Sequence, residues 1–263
     1  MSNSFYEDLF SVRDKVAVVT GGTRGIGYMI AEGLVRAGAR VYVASRKLEA
    51  CEETQAELSK LGDCTAIVAD LSCIEGCAKL AEEIGKREEK LHILVNNAGV
   101  TWSLPIDEFT EKAWDKVVNL DVKSPFFLIQ KMLPLLRKAT SPEARASVVN
   151  ITSVNGLRPS ALQNYSYVAA KAGLGQMSKQ MARDLMQDGI NVNVIAPGLF
   201  KSKMTAPLFA TEEIAQQAAA TVPMGRPGAM EDIAGLVIFF SSKAGSFLTG
   251  TTVSCDGGSV TTT

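Results

Sequence analysis

Short runs of β-branched and other apolar residues alternate along the chain with longer stretches in which apolar positions recur every three or four residues. The runs occupy residues 16–19, 40–44, 65–68, 93–95, 147–151, 192–195 and 251–254. Such runs predict strands buried on both faces, because a strand with one wet face would alternate apolar with polar. Between them, Ile26, Ile30 and Leu34 fall on one helical face, and Leu174, Met177, Met181 and Leu185 on another. Ser72, with Glu75 three residues on, predicts a capping box that starts a helix there. Seven strands alternating with helices predict an α/β fold: a doubly wound, seven-stranded parallel sheet with helices on both faces. No linker rich in Pro, Gly or Ser divides the chain, so residues 1–263 are read as a single domain. The longest insertion between a strand and the next helix spans 198–227 and carries Met204, Leu208, Phe209 and Ile214. It is expected to form a substrate lid over about residues 199–226.

Composition narrows the chemistry. Hydrophobic residues make up 46% and charged residues 21%, enough for a sizeable core. Lys and Arg number 27 against 28 Asp and Glu, so a net charge of −1 gives no reason to expect nucleic acid or a membrane surface as a partner. No apolar run approaches a membrane span, and the first ten residues do not read as a secretory signal. Five scattered cysteines without a CxxC pattern fit reduced thiols and a cytoplasmic location. The single histidine, His92, opens the 93–95 run, at the end of a parallel sheet opposite to where active sites form. It is read as a strand-edge residue, and no metal site is expected.

Two local patterns carry chemistry. After the first run comes Thr20-Gly21-Gly22-Thr23-Arg24-Gly25-Ile26-Gly27, leading into an amphipathic stretch. Glycines here permit a tight turn and let N–H groups approach a pyrophosphate at a helix N-terminus, the arrangement of a Rossmann fold. Eighteen residues past Gly27 stand Ser45, Arg46 and Lys47, where enzymes that use NAD place a carboxylate. With Arg24 in the loop, these cations favour a 2′-phosphate and hence NADP(H). Asp70, left free if Ser72 caps the next helix, is placed against the adenine. Asn96-Asn97-Ala98-Gly99 closes the fourth run with small residues that allow close backbone approach.

The second pattern is Tyr167-Val-Ala-Ala-Lys171, whose spacing of four puts a phenol and an ammonium one turn apart on a helix. A free phenol ionises near pH 10, and a nearby ammonium favours its anion, so the pair can exchange a proton with an alcohol or ketone without histidine. Tyr165 is excluded because its i+4 position is Ala169. Ser153, fourteen residues before Tyr167 and just past the fifth run, can bond a substrate oxygen, with Thr152 as the neighbouring rival.

On these motifs the chain resembles the short-chain dehydrogenase/reductase family over nearly all its length past residue 10. The resemblance implies a dinucleotide-binding catalytic domain with Asn119, Ser153, Tyr167 and Lys171 as the catalytic set. Asn119, in Trp114-Asp-Lys-Val-Val-Asn119, is expected to hold a water that relays protons to Lys171. Cofactor contacts are implied for Gly21, Thr23, Arg24, Gly25, Ile26, Gly27, Ser45, Arg46, Lys47, Asp70, Leu71, Asn97, Ala98, Gly99, Tyr167, Lys171, Pro197, Gly198 and Ser202. Ile195 is implied beside the nicotinamide amide. The Ser-to-Tyr spacing is one longer than the family usually shows, which keeps Thr152 open.

Within the family, residues 62–72, 133–137 and 190–198 look closest to NADPH-dependent β-ketoacyl reductases, which implies a 3-oxoacyl thioester or related ketone. Fatty-acid-synthesis reductases carry a basic residue just before the glycine of Asp188-Gly189 to dock an acidic carrier. Asp188 opposes that, so a CoA ester or free ketone stays open. The alternatives are a polyol or sugar dehydrogenase and, from another class, a non-catalytic NADP(H)-binding regulator. The resemblance also implies a homotetramer, or a homodimer, formed through the helices that hold Asn119 and Tyr167.

Overall fold

The computed structural model describes residues 4–261. Its seven strands are β1 (Val16–Thr20), β2 (Arg40–Ser45), β3 (Cys64–Val68), β4 (Ile93–Asn96), β5 (Ala146–Ile151), β6 (Ile190–Pro197) and β7 (Thr252–Cys255). They form one all-parallel sheet in the order β3-β2-β1-β4-β5-β6-β7. Val18 pairs with Tyr42 on one side and Leu94 on the other, and Ile151 pairs with Ile195. The order in which strands are added therefore reverses between β1 and β4, which opens a crevice at their carboxyl ends. The expected sheet is the observed one.

Alternate residues of each strand feed two cores. Val18, Leu94, Val148 and Val192 pack under α4 (Ile74–Arg87), α6 (Ser124–Lys138) and α7 (Tyr165–Leu185). Val19, Val95, Val149 and Ile195 pack under α2 (Gly25–Arg36) and α9 (Met230–Ser241). Ile30 and Leu34 of α2, and Leu174 of α7, are buried as their spacing requires. Gly33 lets α2 and α9 cross closely, because a Cβ there would lie 2.3 Å from the Ala234 methyl. The remaining helices are α1 (Ser4–Phe10), α3 (Leu48–Leu58), α5 (Glu111–Val118) and α8 (Glu212–Ala220).

One expected helix start is corrected. Residue Cys73, not Ser72, is the N-cap of α4, and it supplies no capping bond. The Ser72 N–H and hydroxyl both go back to Asp70 Oδ1, at 3.0 and 2.8 Å, forming a local turn that competes with the cap.

A second irregularity matters more. Between α5 and α6 the helix widens into a π turn, Asn119–Lys123. Thr110 caps α5 by accepting the Ala113 N–H, and Pro125 stands in the first turn of α6. The wide turn swings Asp121 inward to zero exposure.

His92 lies at the amino edge of the sheet, as expected, and its Nδ1 accepts the Val16 N–H at 2.9 Å. Burial, with the Lys90 and Lys15 charges nearby, holds its imidazole down at about 4 from an ordinary 6.5. On unfolding the ring regains its ordinary affinity for a proton. Between pH 6.5 and 4 the unfolded chain thus binds a proton that the folded chain does not. The contribution to stability is complete above pH 6.5 and is lost as pH falls through that window. Since the ring is only half-buried, the loss is about 1 kcal/mol, or roughly 2–4 °C in Tm for a chain of this size. A His92→Asn variant, which keeps an acceptor for Val16, should lack this component. Calorimetry of both proteins from pH 7 to 4.5 checks it, and parallel Tm curves would contradict it.

Candidate active site

A cavity of about 500 Å³ opens at the carboxyl ends of β1, β2, β4 and β5. Its floor begins at the glycine loop. Gly21 and Gly25 adopt φ of 64° and 54°, left-handed values that side chains rarely take. The third glycine, Gly27, is needed for space, because a Cβ there would lie 2.3 Å from both Asn97 Nδ2 and the Gly21 carbonyl. Helix α2 begins at Gly25, and its N-cap, Arg24, offers no side-chain bond. The first-turn N–H groups of Gly25, Ile26 and Gly27 thus lack a capping side chain where these residues line the cavity.

Thr20 locks this loop to the end of β4. Its Oγ1 accepts the N–H groups of Asn97 and Ala98 at 2.9 and 3.0 Å, and Asn97 Nδ2 donates to the Thr20 carbonyl at 2.9 Å. The Asn97 amide is therefore committed to the protein, although the residue does line the cavity beside Ala98 and Gly99. Thr20 carries no role in the sequence reading. Its tell is that it is the only hydroxyl in an otherwise apolar strand.

The electrostatics of the lining are one-sided. Arg24, Arg46, Lys171 and Lys203 line the cavity and no carboxylate does. Arg24 and Arg46 are exposed on its rim, and Ser45, the last residue of β2, lines it beside them. Leu71 and Ala69 line the same end. Asp70 is exposed beside them but outside the lining. It is not free as expected, since Ser72 holds one of its oxygens. Burial raises the Asp70 carboxyl, but the Ser72 donors and the Arg46 charge outweigh it and leave it below its ordinary value.

Tyr167 and Lys171 both line the other end of the cavity, one turn apart on α7. Lys171 Nζ stands 5.6 Å from the Tyr167 ring centre. The ammonium is 5% exposed, bonds the Ile151 carbonyl at 3.1 Å, and forms an ion pair with Asp121 Oδ2 at 3.1 Å. Burial weakens its hold on the proton, but Asp121 and Tyr167 more than compensate and keep it above the ordinary lysine value. Burial raises the Asp121 carboxyl, which the Lys171 charge and the Val100 N–H only partly oppose. Tyr165 points elsewhere, edge-on to Phe109 at 5.7 Å.

Hydrogen bonding separates the two hydroxyl rivals. Thr152 lines the cavity, but its Oγ1 donates to the Ile195 carbonyl at 3.2 Å. Ser153, buried just behind, accepts the Asn155 N–H at 3.2 Å, which leaves its own proton unspent. Asn119 opens the π turn, and its carbonyl accepts the Ser124 N–H.

Several expected residues lie away from the cavity wall. Thr23 and Lys47 are outside it, as are Asn119 and Ser153. Pro197 and Gly198 are turned toward β7, where Gly198 donates to the Cys255 carbonyl and a Cβ on it would lie 2.8 Å from Asp256. Ile195 is fully buried in the sheet core. Ser202 does line the cavity. It packs so closely on the first turn of α2 that a Cβ at Gly25 would meet its Cβ at 3.0 Å. Ser202 thus lies against the glycine loop, and a bridge between Phe200 and Gly228 ties the start of its segment to the chain beyond its end. Asp188 is paired with Arg137, whose Nε and Nη2 lie 3.0 and 2.8 Å from its Oδ2.

The residues fit a polyanionic dinucleotide: uncapped N–H groups, glycines that a Cβ would displace, and a lining with cations alone. Comparisons with known proteins agree. Residues 21–260 match the family described as Enoyl-(Acyl carrier protein) reductase. The chain is 45% identical over 249 residues to the rhamnolipids biosynthesis 3-oxoacyl-[acyl-carrier-protein] reductase of Pseudomonas aeruginosa, covering 95% of this chain and 97% of that one. It is 35% identical over 260 residues to gluconate 5-dehydrogenase of Gluconobacter oxydans, covering 96% and 97%. The solved structure described as the Pseudomonas aeruginosa RhlG/NADP active-site complex superposes with a TM-score of 0.92 at 45% identity, covering 96% of this chain and 98% of that one.

Proposed function

The chain belongs to the short-chain dehydrogenase/reductase family, and from that premise we propose that it is an NADP(H)-dependent reductase turning a 3-oxoacyl thioester into its secondary alcohol. The observation that carries this reading is one cavity that joins a carboxylate-free cationic end to the Tyr167–Lys171 pair. The cofactor supplies hydride to the carbonyl carbon. The N–H groups of Gly25, Ile26 and Gly27 would hold its pyrophosphate, and Arg24 and Arg46 its 2′-phosphate. Lys171 would hold the nicotinamide ribose hydroxyls. Ser153 donates its free proton to the carbonyl oxygen, and Tyr167 protonates that oxygen as the C–H bond forms. Asn119, in the π turn behind Lys171, is assigned to the water path that resupplies the proton.

Segment 199–226 is assigned as the substrate lid of a single catalytic domain. Its exposed Met204, which lines the cavity, and exposed Leu208 offer apolar surface for an acyl chain. The relative that acts on gluconate supports a second reading, a sugar or polyol dehydrogenase. The Arg137 guanidinium at Asp188 offsets the charge that would oppose an acidic carrier, so carrier-bound substrate stands beside CoA ester. No helix among the described residues is long and apolar enough to cross a membrane, and five unpaired thiols support a reducing, cytoplasmic setting. Exposed Ile106, Trp114 and Tyr165 near the start of α5 and α7 support a homotetramer through those helices, which sedimentation velocity tests.

The test is NADPH oxidation with acetoacetyl-CoA, a 3-oxoacyl carrier protein and a keto-gluconate. We expect the thioesters to reach kcat/KM on the order of 10⁴ M⁻¹s⁻¹ or more. A keto-sugar preference would favour the second reading. NADPH binding without turnover of any ketone would leave a regulator.

A further inference from the structure

The proposed chemistry uses Lys171 but leaves its nearest charged neighbour unexplained. Asp121 has no exposure, and its two oxygens face different parts of the site. Oδ1 accepts the Val100 N–H at 2.8 Å, in the loop that follows the Asn-Asn-Ala-Gly run. Oδ2 lies 3.1 Å from Lys171 Nζ. Gly99 closes over the pair, where a Cβ would fall 2.9 Å from Asp121 Oδ2 and 3.3 Å from Lys171 Nζ. Burying a carboxylate and an ammonium costs each its hydration, so neither is left there without consequence for the other.

We propose that Asp121 is a positioning residue for the reaction: through Oδ2 it holds the Lys171 ammonium charged beside Tyr167, and through Oδ1 it anchors the Val100 loop along the same cavity. The groups facing Lys171 are few. The π turn contributes Asp121, β5 the Ile151 carbonyl, its own helix Tyr167, and the loop after β4 the Gly99 backbone. Asp121 is thus the one carboxylate paired with it among the described residues. It has a cost built in, since its negative charge also opposes a phenolate at Tyr167. The arrangement suits a reductase, which needs the Tyr167 proton in place before turnover.

The inference rests on the ketone-reductase reading, and its test separates the two. Asp121→Asn keeps an acceptor for Val100 and removes the charge, whereas Asp121→Ala removes both. With the charge gone, the Tyr167–Lys171 pair should lose its proton at lower pH, whichever member gives it up. The alkaline limb of NADPH-dependent kcat/KM should move down by about one pH unit or more in Asp121→Asn. Only Asp121→Ala should show a rise in KM from the loosened loop. A purely structural role would leave the limb of the Asn variant where it is, and that result overturns the proposal.

A second readout needs neither substrate nor a variant. In wild-type protein carrying ¹³Cε-lysine, the buried lysine resonance that shifts when NADPH binds should stay in its ammonium form to about pH 10. Titration of that resonance below pH 9 would also overturn the proposal. A chain that passes this test yet turns over no ketone would keep the clamp and lose the function assigned above.

Discussion

Tyr167→Phe should lower kcat for ketone reduction by about 10³-fold, within the 10²–10⁴ range that a positioned proton donor supplies. The substitution removes one hydroxyl and keeps the ring in its buried place on α7. The Tyr167 hydroxyl makes no hydrogen bond to the described residues, so no partner is stranded and Tm should hold within about 1 kcal/mol of stability. NADPH affinity should also hold, because the cationic end of the cavity is untouched. Tyr165→Phe serves as the control. Its ring meets Phe109 edge-on, away from the cavity, and its rate should match wild type. Steady-state kinetics with acetoacetyl-CoA, alongside fluorescence titration of NADPH, separates the two tyrosines. A Tyr167→Phe rate within tenfold of wild type would remove Tyr167 as the acid.

Arg24→Ala with Arg46→Ala should cost about 10³-fold in kcat/KM for NADPH and little for NADH, moving the enzyme toward indifference between them. Each guanidinium sits on the rim with no carboxylate in the lining to satisfy it. A charge-assisted bond to phosphate is worth about 1.5–3 kcal/mol, and two such bonds give the stated loss. Both side chains are exposed, so the fold should not notice. Parallel KM and kcat measurements with the two cofactors decide it. An equal loss with NADH would place the arginines elsewhere in the reaction, and no loss would remove them from cofactor recognition.

The parts of this account that were legible in the chain are those written in local patterns. Buried parallel strands read as apolar runs because both of their faces are covered. The glycine loop reads as glycines because positive φ at Gly21 and Gly25, and the contact at Gly27, exclude Cβ. Tyr167 and Lys171 read as a pair because a helix brings i and i+4 together. What stayed hidden depends on distance along the chain. Asp121 meets Lys171 fifty residues away, and only after a π turn rotates it inward. The choice between Thr152 and Ser153 cannot be made from spacing, since it turns on which hydroxyl proton the β6 backbone consumes. The expected cap at Ser72 failed for a local reason. Asp70, two residues earlier, competes for the same hydroxyl and N–H.

The claim on which the rest depends is that hydride passes within this cavity directly from NADPH to a carbonyl carbon while Tyr167 protonates its oxygen. NADPH deuterated on the transferring face at C4, incubated with enzyme and a 3-oxoacyl thioester, tests it by NMR of the alcohol product. We predict one deuterium on the carbinol carbon per NADPH consumed, with the rate falling in Tyr167→Phe and the label position unchanged. Product carrying no deuterium at that carbon, or deuterium on the neighbouring carbon instead, would contradict the account.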